Sequence, residues 1–541
     1  MQPSTLAKRG WLILVLIIVA FYLYGLGRLP LVGPDEPRYA QVAREMFLRR
    51  DFITPTLGGH TWFEKPVLLY WMMMAGYKLF GVSEWSARIG PAIAGLLTIV
   101  AIWWISRQIE SISERQGFVF LATAVVASMA GLIVFARAAS FDIVITLTLT
   151  WTCSFFLASE IETSKRKWRL AGFYAFMGLS LLAKGLIGVV LPAGIVGLFY
   201  LLRRRLPDRT FMVSTLWGLP LTLLVAAVWY GPVIARHGWP FINDFFIQHH
   251  FARYLSNKYQ HPQPVYFYLP VTLLLALPWS VFLIEALFKR ETWRQQDRNP
   301  ASNWRLFVLA WLIVPIAFFS FSGSKLPGYV LPSLPAGALL IADRLSLLTA
   351  NKEAGALSMR LTAGLCLVMA IAGIVYARQT GSISLRCAAL VTAPAVLAAA
   401  FIFLLSRERL LSMLVVTLVP FVVVAFALHC VVDRFAPRES VHDLISQVEV
   451  AGYGDAAMVM FGRIERTAEF YGAGRVIYDS NGTPLKVEQP SEVIDLVKKM
   501  KQRLLFITPH DSIAELQKIQ GLQARLIADN GHNAIVAVEP R

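Results

Sequence analysis

Long apolar runs constrain this 541-residue chain more than any other feature of its sequence. Between residues 11 and 430 the chain repeatedly presents apolar stretches of about 17 to 22 residues, the length that a helix needs to cross a hydrocarbon core of about 30 Å. A water-soluble core would not need so many runs of this length, and in lipid a helix satisfies its own backbone polar groups. The sequence therefore predicts a polytopic α-helical membrane protein.

The apolar runs predict about thirteen transmembrane helices, and the basic residues predict their orientation. The predicted spans lie near residues 10–28, 87–106, 117–136, 143–160, 170–183, 185–202, 211–232, 264–287, 306–321, 328–342, 361–377, 384–405 and 410–430. With the N-terminus inside, basic clusters such as residues 203–205 all fall in inner loops, as the positive-inside rule requires. The net charge of +17 is thus a topology signal, and we expect no nucleic-acid partner.

The distribution of polar segments predicts two domains. Residues 1–430 form the transmembrane domain, with long outer loops at 29–86 and 234–263, and an odd number of spans places residues 431–541 outside. We expect the first span to remain as an anchor, because no small-residue cleavage site follows it. The four cysteines lack motif spacing and are interpreted as small apolar side chains.

Local patterns predict secondary structure in the first outer loop and in the tail. The loop pattern favours a helix over 36–49 and an interfacial helix over 66–80, with these belt aromatics: Trp62, Tyr70, Trp71 and Tyr77. The tail pattern predicts strands at 456–461, 475–478, 503–507 and 534–538, and helices at 440–450, 491–503 and 511–519. The tail is therefore expected to be a small α/β domain.

Two adjacent carboxylates, Asp35 and Glu36, follow the first apolar run directly. Pro34 and Pro37 bracket them and restrict the backbone, which would hold both carboxylates in a turn at the helix exit. One interpretation is catalytic. The alternative is that Asp35 caps a helix that begins at Glu36 or Pro37, and one residue could serve both roles.

Further charges lie at the outer ends of the predicted spans. Glu64 and Lys65 precede the interfacial helix, where Lys65 could simply anchor the interface. Short outer turns carry four more: Arg137, Asp142, Lys184 and Lys325. Each would cost at least about 2.5 kcal/mol near bilayer depth without a partner or a water-filled cavity, which makes it a functional candidate. Cations that oppose the positive-inside rule favour contact with an anion such as phosphate.

Paired histidines in the second outer loop, His249 and His250, suggest a metal site that Glu64 would complete. Adjacent ligands without a third spaced His or Cys are a weak zinc pattern. We therefore expect that no cofactor is required, and a divalent metal such as zinc is the alternative. By the predicted topology, these charges share the outer face beside apolar grooves, which suits a substrate with a phosphate head and a lipid tail.

Five short motifs resemble the ArnT family of lipid A aminoarabinose transferases and, more broadly, the protein O-mannosyltransferase group of GT-C glycosyltransferases. They are Asp-Glu-x-Arg-Tyr-Ala (35–40), Phe-Glu-Lys-Pro (63–66), Ala-Lys-Gly (183–185), His-x-x-Arg (250–253) and Lys-Leu-Pro-x-Tyr (325–329). The chain departs from the family pattern at Gln41, where an acidic residue is usual, and at His249, where Glu is common.

This resemblance implies a GT-C fold and a monomeric bacterial inner-membrane enzyme that takes a sugar from a polyprenyl-phosphate carrier at the periplasmic face. For the ArnT branch, the donor is undecaprenyl-phosphate 4-amino-4-deoxy-L-arabinose and the acceptor is lipid A phosphate. The resemblance makes Asp35 the essential acid, and we add Glu36 as a second catalytic candidate. Candidate binding residues for the carrier phosphate or the sugar are Arg38, Lys65, Arg137, Asp142, Lys184, Arg253, Lys325 and Tyr329.

Two other function classes stay open at this point. A protein O-glycosyltransferase that uses a polyprenyl-phosphate hexose would share the Asp-Glu loop. A lipid transporter or flippase is disfavoured, because transporters place charges near the midplane and often show repeats in two halves, whereas the charges here lie at one face.

Overall fold

The computed structural model describes residues 5–113, 115, 117–252, 263–289, 303–350, 356–381, 383–404 and 409–540. Its helices before residue 431 are α1 Thr5–Leu23, α2 Glu36–Arg49, α3 Leu68–Phe80, α4 Glu84–Ser113, α5 Phe118–Ser128, α6 Ala130–Ala136, α7 Phe141–Ile161, α8 Arg166–Lys184, α9 Ile187–Arg203, α10 Arg209–Ile242, α11 Tyr268–Leu275, α12 Ser280–Phe288, α13 Asn303–Ser320, α14 Leu334–Ala350, α15 Ala356–Thr380, α16 Leu385–Leu404 and α17 Arg409–Cys430. A π-helical segment, Asn243–Ala252, and two 3₁₀ segments, Val265–Phe267 and Pro327–Ser333, complete this part.

The membrane class predicted from the apolar runs is confirmed. Eight helices in the described part of the chain are long and apolar enough to cross a membrane, and two bent helix pairs raise the number to ten. Helices α5 and α6 meet at 57°, whereas Val265–Leu275 and α12 meet at 119°. Because so sharp a bend fits either a broken span or a re-entrant loop, the count of thirteen crossings stays a prediction.

The first outer loop folds as two helices that pack together. Helix α2 has the bounds that the sequence predicts, and α3 is the apolar helix expected over 66–80. The prediction of belt aromatics was wrong for Tyr70 and Tyr77, which are 0% and 2% exposed. The Tyr77 hydroxyl donates to the Ala40 carbonyl of α2 at 3.1 Å. These tyrosines join the loop helices to the protein core because their rings fill space between helices.

The C-terminal part is a small α/β domain. Its helices are α18 Val432–Glu439, α19 His442–Val450, α20 Thr467–Tyr471, α21 Pro490–Met500 and α22 Ile513–Gln517, and its strands are β3 Ala457–Phe461, β4 Lys486–Val487, β5 Leu504–Pro509, β6 Leu522–Asp529 and β7 Asn533–Pro540. The sheet order is β4-β3-β5-β7-β6, with β3 parallel to β4 and β5, and β7 antiparallel to β5 and β6. A separate short hairpin, β1 Thr56–Leu57 and β2 His60–Thr61, lies in the first outer loop.

The domain differs from the sequence prediction in several details, and α18, α20 and β4 were not predicted. The strand expected at 475–478 is reduced to isolated bridges, including Met458 with Val476. Strand β6 was also not predicted, because half of its side chains are exposed and a register shift between Leu526 and Ala528 breaks the alternation.

Helix α20 docks the C-terminal domain onto the first outer loop. The Tyr471 hydroxyl accepts the Leu31 N–H at 2.7 Å and donates to the Glu84 carboxylate at 2.9 Å. Arg44 of α2 donates to the Phe470 carbonyl at 3.2 Å. The chain that leads into the Asp35 turn is therefore held from outside the membrane bundle.

We expect Tyr471→Phe to loosen this docking. The substitution keeps the ring but leaves the Leu31 N–H and Glu84 without their shared partner, and an unpaired buried polar group costs about 1–3 kcal/mol. Thermal unfolding in detergent should show a lower midpoint, and hydrogen exchange should rise at residues 31–36. Tyr453→Phe is the matched control, because the Tyr453 ring contacts Arg503 within the domain. Equal exchange in both variants would contradict this role of Tyr471.

Candidate active site

A buried ion pair fixes the turn that carries the two carboxylates. Both Glu36 oxygens accept from the Arg88 guanidinium, each at 2.7 Å, and they also accept the Ala139 N–H at 2.8 Å and the Val32 N–H at 3.2 Å. Arg88 in turn donates to carbonyls at residues 26, 29 and 30. With its lone pairs occupied, Glu36 is better placed to position the turn than to react.

Asp35, by contrast, presents its carboxylate to solvent. Its side chain is 47% exposed, and one oxygen lies 2.5 Å from the Arg38 guanidinium. The expected helix cap is not formed. Asp35 has helical angles, φ −97° and ψ −45°, and its side chain makes no capping hydrogen bond. The carboxylate is therefore left to contact Arg38 and any molecule that enters the site.

Arg38 holds the Asp35 carboxylate in place. Its Nε donates to the Pro34 carbonyl at 2.6 Å, and its guanidinium lies 5.5 Å from the centre of the Trp62 ring. Burial opposes the charge of Arg38, but the Glu64 and Asp35 carboxylates raise its pKa above the ordinary value. Arg38 therefore stays charged and joins the Asp35 turn to the Glu64 segment.

The segment from Trp62 to Lys65 adds an ion pair and a buried indole N–H. Lys65 and Glu64 pair at 2.9 Å, and their side chains are 14% and 10% exposed. The Trp62 indole N–H and the Tyr70 hydroxyl are buried close to each other, and among the described residues neither makes a hydrogen bond of ordinary geometry. Buried polar groups are normally paired, so these two groups are suited to bind polar atoms of a ligand.

Phe141 connects this first cluster to a second one. The Tyr39 and Tyr70 rings pack edge-on against Phe141, with ring centres 4.9 Å and 5.3 Å apart. The next residue, Asp142, begins the second cluster at the start of α7. The first outer loop and the ends of α7 and α8 therefore meet at one end of the bundle.

The second cluster contains Asp142, Lys184 and Tyr329. The Lys184 ammonium donates to the Asp142 carboxylate and lies 4.5 Å from the centre of the Tyr329 ring. Gly328 makes this approach possible, because a Cβ there would lie 2.0 Å from an Asp142 oxygen. Lys184 thus contacts two other predicted binding residues, Asp142 and Tyr329.

Lys325 lies four residues before Tyr329 and is 7% exposed. Its ammonium donates to the Ser322 carbonyl at 2.7 Å and to the Gln263 carbonyl at 2.9 Å. In the described part of the chain both contacts are with neutral groups, so no carboxylate balances this charge there. A buried ammonium with a remaining N–H is suited to bind an anion.

The remaining candidates have other surroundings. Arg137 donates to the Phe21 carbonyl at 2.8 Å and the Tyr24 carbonyl at 2.6 Å, so it satisfies the end of α1 instead of joining either cluster. Arg253 and the side chain of His250 lie outside the described residues.

The described residues give no support to the metal alternative. Among them, no group of three or more His, Cys, Asp or Glu is arranged to hold a metal ion. Glu64 is paired with Lys65 instead. A metal at Glu64, His249 and His250 therefore stays a prediction.

Sequence reasoning missed several residues that complete the site. Arg88 could have been found, because a charge inside an apolar run needs a partner. Tyr39, Tyr70 and Phe141 gave no such signal, since aromatic residues are common in membrane helices and at their ends. Their role depends on packing between segments far apart in the chain.

The two adjacent carboxylates should respond differently to substitution. Glu36→Gln removes one charge of a buried pair and leaves Arg88 uncompensated, which costs about 3–5 kcal/mol. Asp35→Asn changes a half-exposed group and should leave stability almost unchanged. Thermal unfolding of both purified variants measures the difference. A Glu36→Gln protein as stable as the wild type would contradict the positioning role of Glu36.

Comparison with known proteins identifies relatives of this chain. Residues 64–231 match the model described as dolichyl-phosphate-mannose-protein mannosyltransferase. An undecaprenyl phosphate-alpha-4-amino-4-deoxy-L-arabinose arabinosyl transferase of Pseudomonas paraeruginosa is 31% identical over 381 residues, 68% of this chain and 66% of the relative. The corresponding Erwinia tasmaniensis protein is 32% identical over 341 residues, 61% of this chain and 58% of the relative. The matched stretch thus spans about three fifths to two thirds of these curated relatives.

Solved structures show the same fold over almost the whole chain. The apo crystal structure of ArnT from Cupriavidus metallidurans has a TM-score of 0.78 at 23% identity and covers 98% of each chain. The archaeal oligosaccharyltransferase AglB from Archaeoglobus fulgidus has a TM-score of 0.52 at 13% identity, and the match covers 93% of this chain and 70% of AglB. These structures show the fold, and the sequence relatives at 31% and 32% identity show that the chain belongs to the ArnT-like family of GT-C glycosyltransferases.

Proposed function

We propose that the protein transfers 4-amino-4-deoxy-L-arabinose from undecaprenyl phosphate to a phosphate of lipid A. The names of its relatives give the donor class, and the family gives the reaction type. The proposal also places the enzyme in the bacterial inner membrane with a cytoplasmic N-terminus and a periplasmic C-terminal domain, which is the orientation that the positive-inside rule favours.

One observation carries the proposal. At one end of an apolar bundle, the half-exposed Asp35 carboxylate lies beside Arg38, and Phe141 joins this cluster to the Asp142 and Lys184 pair. Carboxylates suit the ammonium of an aminosugar, and cations suit the phosphate of a carrier lipid. A donor with both groups and a long apolar tail fits this arrangement better than a soluble sugar nucleotide.

Within this proposal, Lys325 is the principal contact of the carrier phosphate. The bond from sugar C1 to the carrier phosphate breaks during transfer, and its electron pair leaves with the phosphate oxygen. A prepositioned ammonium stabilises that growing charge more in the transition state than in the ground state. The carrier phosphate is already a good leaving group, so no acid needs to protonate it. Lys65 would assist, although Glu64 balances part of its charge.

The role of Asp35 depends on the acceptor. An acceptor oxygen forms the new bond to C1 on the face opposite the leaving phosphate, in a single inverting displacement. If the acceptor is a hydroxyl, Asp35 takes its proton as general base. A lipid A phosphate is already ionised and needs no base, and in that case Asp35 binds the sugar ammonium or offsets positive charge at C1. Trp62 and Tyr70 would supply hydrogen bonds to sugar oxygens.

A protein O-mannosyltransferase activity is the second candidate. The match of residues 64–231 to the mannosyltransferase model favours it, because that stretch includes Lys65, Asp142 and Lys184. Purified protein offered lipid A and an unfolded polypeptide, each with its own polyprenyl-phosphate donor, would separate the two activities.

We expect the wild-type enzyme to add one aminopentose to lipid A in proteoliposomes, and Asp35→Asn to abolish the addition. Loss of a base or of a charge at the reacting centre lowers the rate by about 10²–10⁴-fold. Mass spectrometry of lipid A measures the amount of product. Native mass spectrometry measures binding of undecaprenyl phosphate, which should persist in Asp35→Asn. Asp455→Asn, at an exposed position of the C-terminal domain, is the control. A wild-type rate in Asp35→Asn would remove this residue from the reaction.

Lys325→Ala should weaken binding of undecaprenyl phosphate by about 10- to 100-fold, since a hydrogen bond to a charged group contributes about 1.5–3 kcal/mol. Lys65→Ala should have a smaller effect, because Glu64 already neutralises part of the Lys65 charge. The exposed Lys78 of α3 provides a matched lysine control. Titration of each purified variant measures the affinities. Unchanged affinity in Lys325→Ala would exclude it from the phosphate site.

A further inference from the structure

A cavity of about 740 Å³ opens between α8, α9 and α10, away from the clusters described above. Most of its lining is apolar, including Phe173, Met177, Val196 and Phe211. Arg204 and Arg205, in the turn between α9 and α10, also line it. The cavity therefore combines an apolar interior with two cations. No step of the proposed sugar transfer uses this combination.

The charges around this turn show that the two arginines differ from their neighbours. Glu160 accepts from Arg166 at 2.9 Å and from Arg203 at 3.0 Å, and Asp208 pairs with Arg166 as well. These pairs neutralise the charges that hold the turn in place. Among the described residues, Arg204 and Arg205 have no carboxylate partner, so two positive charges remain at the cavity.

The backbone also fixes the position of these arginines. Asp208 caps α10 by accepting the Phe211 N–H at 2.8 Å, and Arg204 ends α9 in the left-handed conformation with φ 52°. Arg203 is tied to Glu160 on the preceding side. The turn is thus anchored at both ends, while its two unpaired guanidiniums remain exposed.

We propose that this cavity binds a phospholipid with an anionic head group. A free phosphate would leave the apolar walls without a partner, and an uncharged lipid would leave both arginines without one. The predicted topology places this turn at the cytoplasmic face, where anionic lipids attract basic residues with about 1 kcal/mol per residue. Arginine forms forked hydrogen bonds that match phosphate oxygens.

The site is separate from the candidate active site. Lys184 of the active-site cluster ends α8, and α9 begins three residues later at Ile187, whereas Arg204 and Arg205 follow the opposite end of α9. At 1.5 Å per residue, the 17 residues of α9 place the two arginines about 25 Å from the active-site end of the cavity. Loss of the lipid site can therefore be measured independently of the transferase proposal.

Native mass spectrometry of delipidated protein titrated with phosphatidylglycerol tests the head-group contact. We expect the double variant Arg204→Ala/Arg205→Ala to bind at least about tenfold more weakly than the wild type, because each charged hydrogen bond contributes about 1.5–3 kcal/mol. Arg107→Ala/Lys165→Ala removes the same charge from two exposed positions that do not line the cavity. Equal loss in both double variants would indicate only a general charge effect and would overturn the proposal.

A second substitution tests the apolar part of the cavity without changing charge. Gly197 of α9 lines the cavity, and a Cβ built there meets no atom within 4 Å. Gly197→Leu should therefore fold normally and exclude the acyl chains. Gly364→Leu on α15 is the control, because its Cβ also meets no atom within 4 Å and it does not line the cavity. Wild-type phosphatidylglycerol binding by Gly197→Leu would overturn the proposal.

Competition experiments distinguish the source of the anion. Phosphatidylcholine should not displace bound phosphatidylglycerol, and neither should inorganic phosphate at millimolar concentration. Displacement by inorganic phosphate would indicate a simple anion site. Preferential binding of undecaprenyl phosphate, lost in the Arg204→Ala/Arg205→Ala variant, would indicate a carrier site. Either result would overturn the phospholipid proposal while leaving the transfer reaction untouched.

Discussion

The ion pair between Glu36 and Arg88 is the contact on which the rest of the site depends. Both side chains are less than 10% exposed, and a buried charge without its partner is strongly destabilising. Glu36 also binds the Ala139 N–H, so one carboxylate joins the first outer loop, α4 and the link between α6 and α7. Because Asp35 is the adjacent residue, the buried carboxylate determines where the exposed one lies, and reacting groups need positions held within about 0.5 Å.

The C-terminal domain supports the same turn from the other side. Tyr471 holds Leu31, and the Tyr478 ring packs against Gly58, where a Cβ would lie 2.3 Å from a ring carbon. Gly58 has φ +60°, so its conformation and its contact both favour glycine. Glu469 lies in the same interface with a buried carboxylate, and burial raises its pKa. The domain is therefore part of the framework of the site, although its own sequence contains no catalytic motif.

The sequence predicted what depends on local pattern and missed what depends on long-range pairing. Helix α2 has its predicted bounds. Asp142 and Lys184 were both predicted to lie at the outer face, and their ion pair agrees with that shared location. Tyr70 was placed in the interface because its surroundings are apolar and aromatic, yet it packs against Phe141, 71 residues away in the chain. Periodicity describes one segment at a time and carries no information about which other segment covers it.

Pairing, more than the presence of a charge, separates structural cations from candidate binding cations in this protein. Arg88 is held by a carboxylate, and Arg137 satisfies carbonyls at the end of a helix, so substrate binding by either would require breaking a buried contact. Lys325 contacts only neutral carbonyls among the described residues, and it keeps a donor for an incoming anion. A bound phosphate balances the Lys325 charge and lowers the free-energy cost of burying it. Carrier binding therefore removes an unfavourable electrostatic interaction at one end of the bundle.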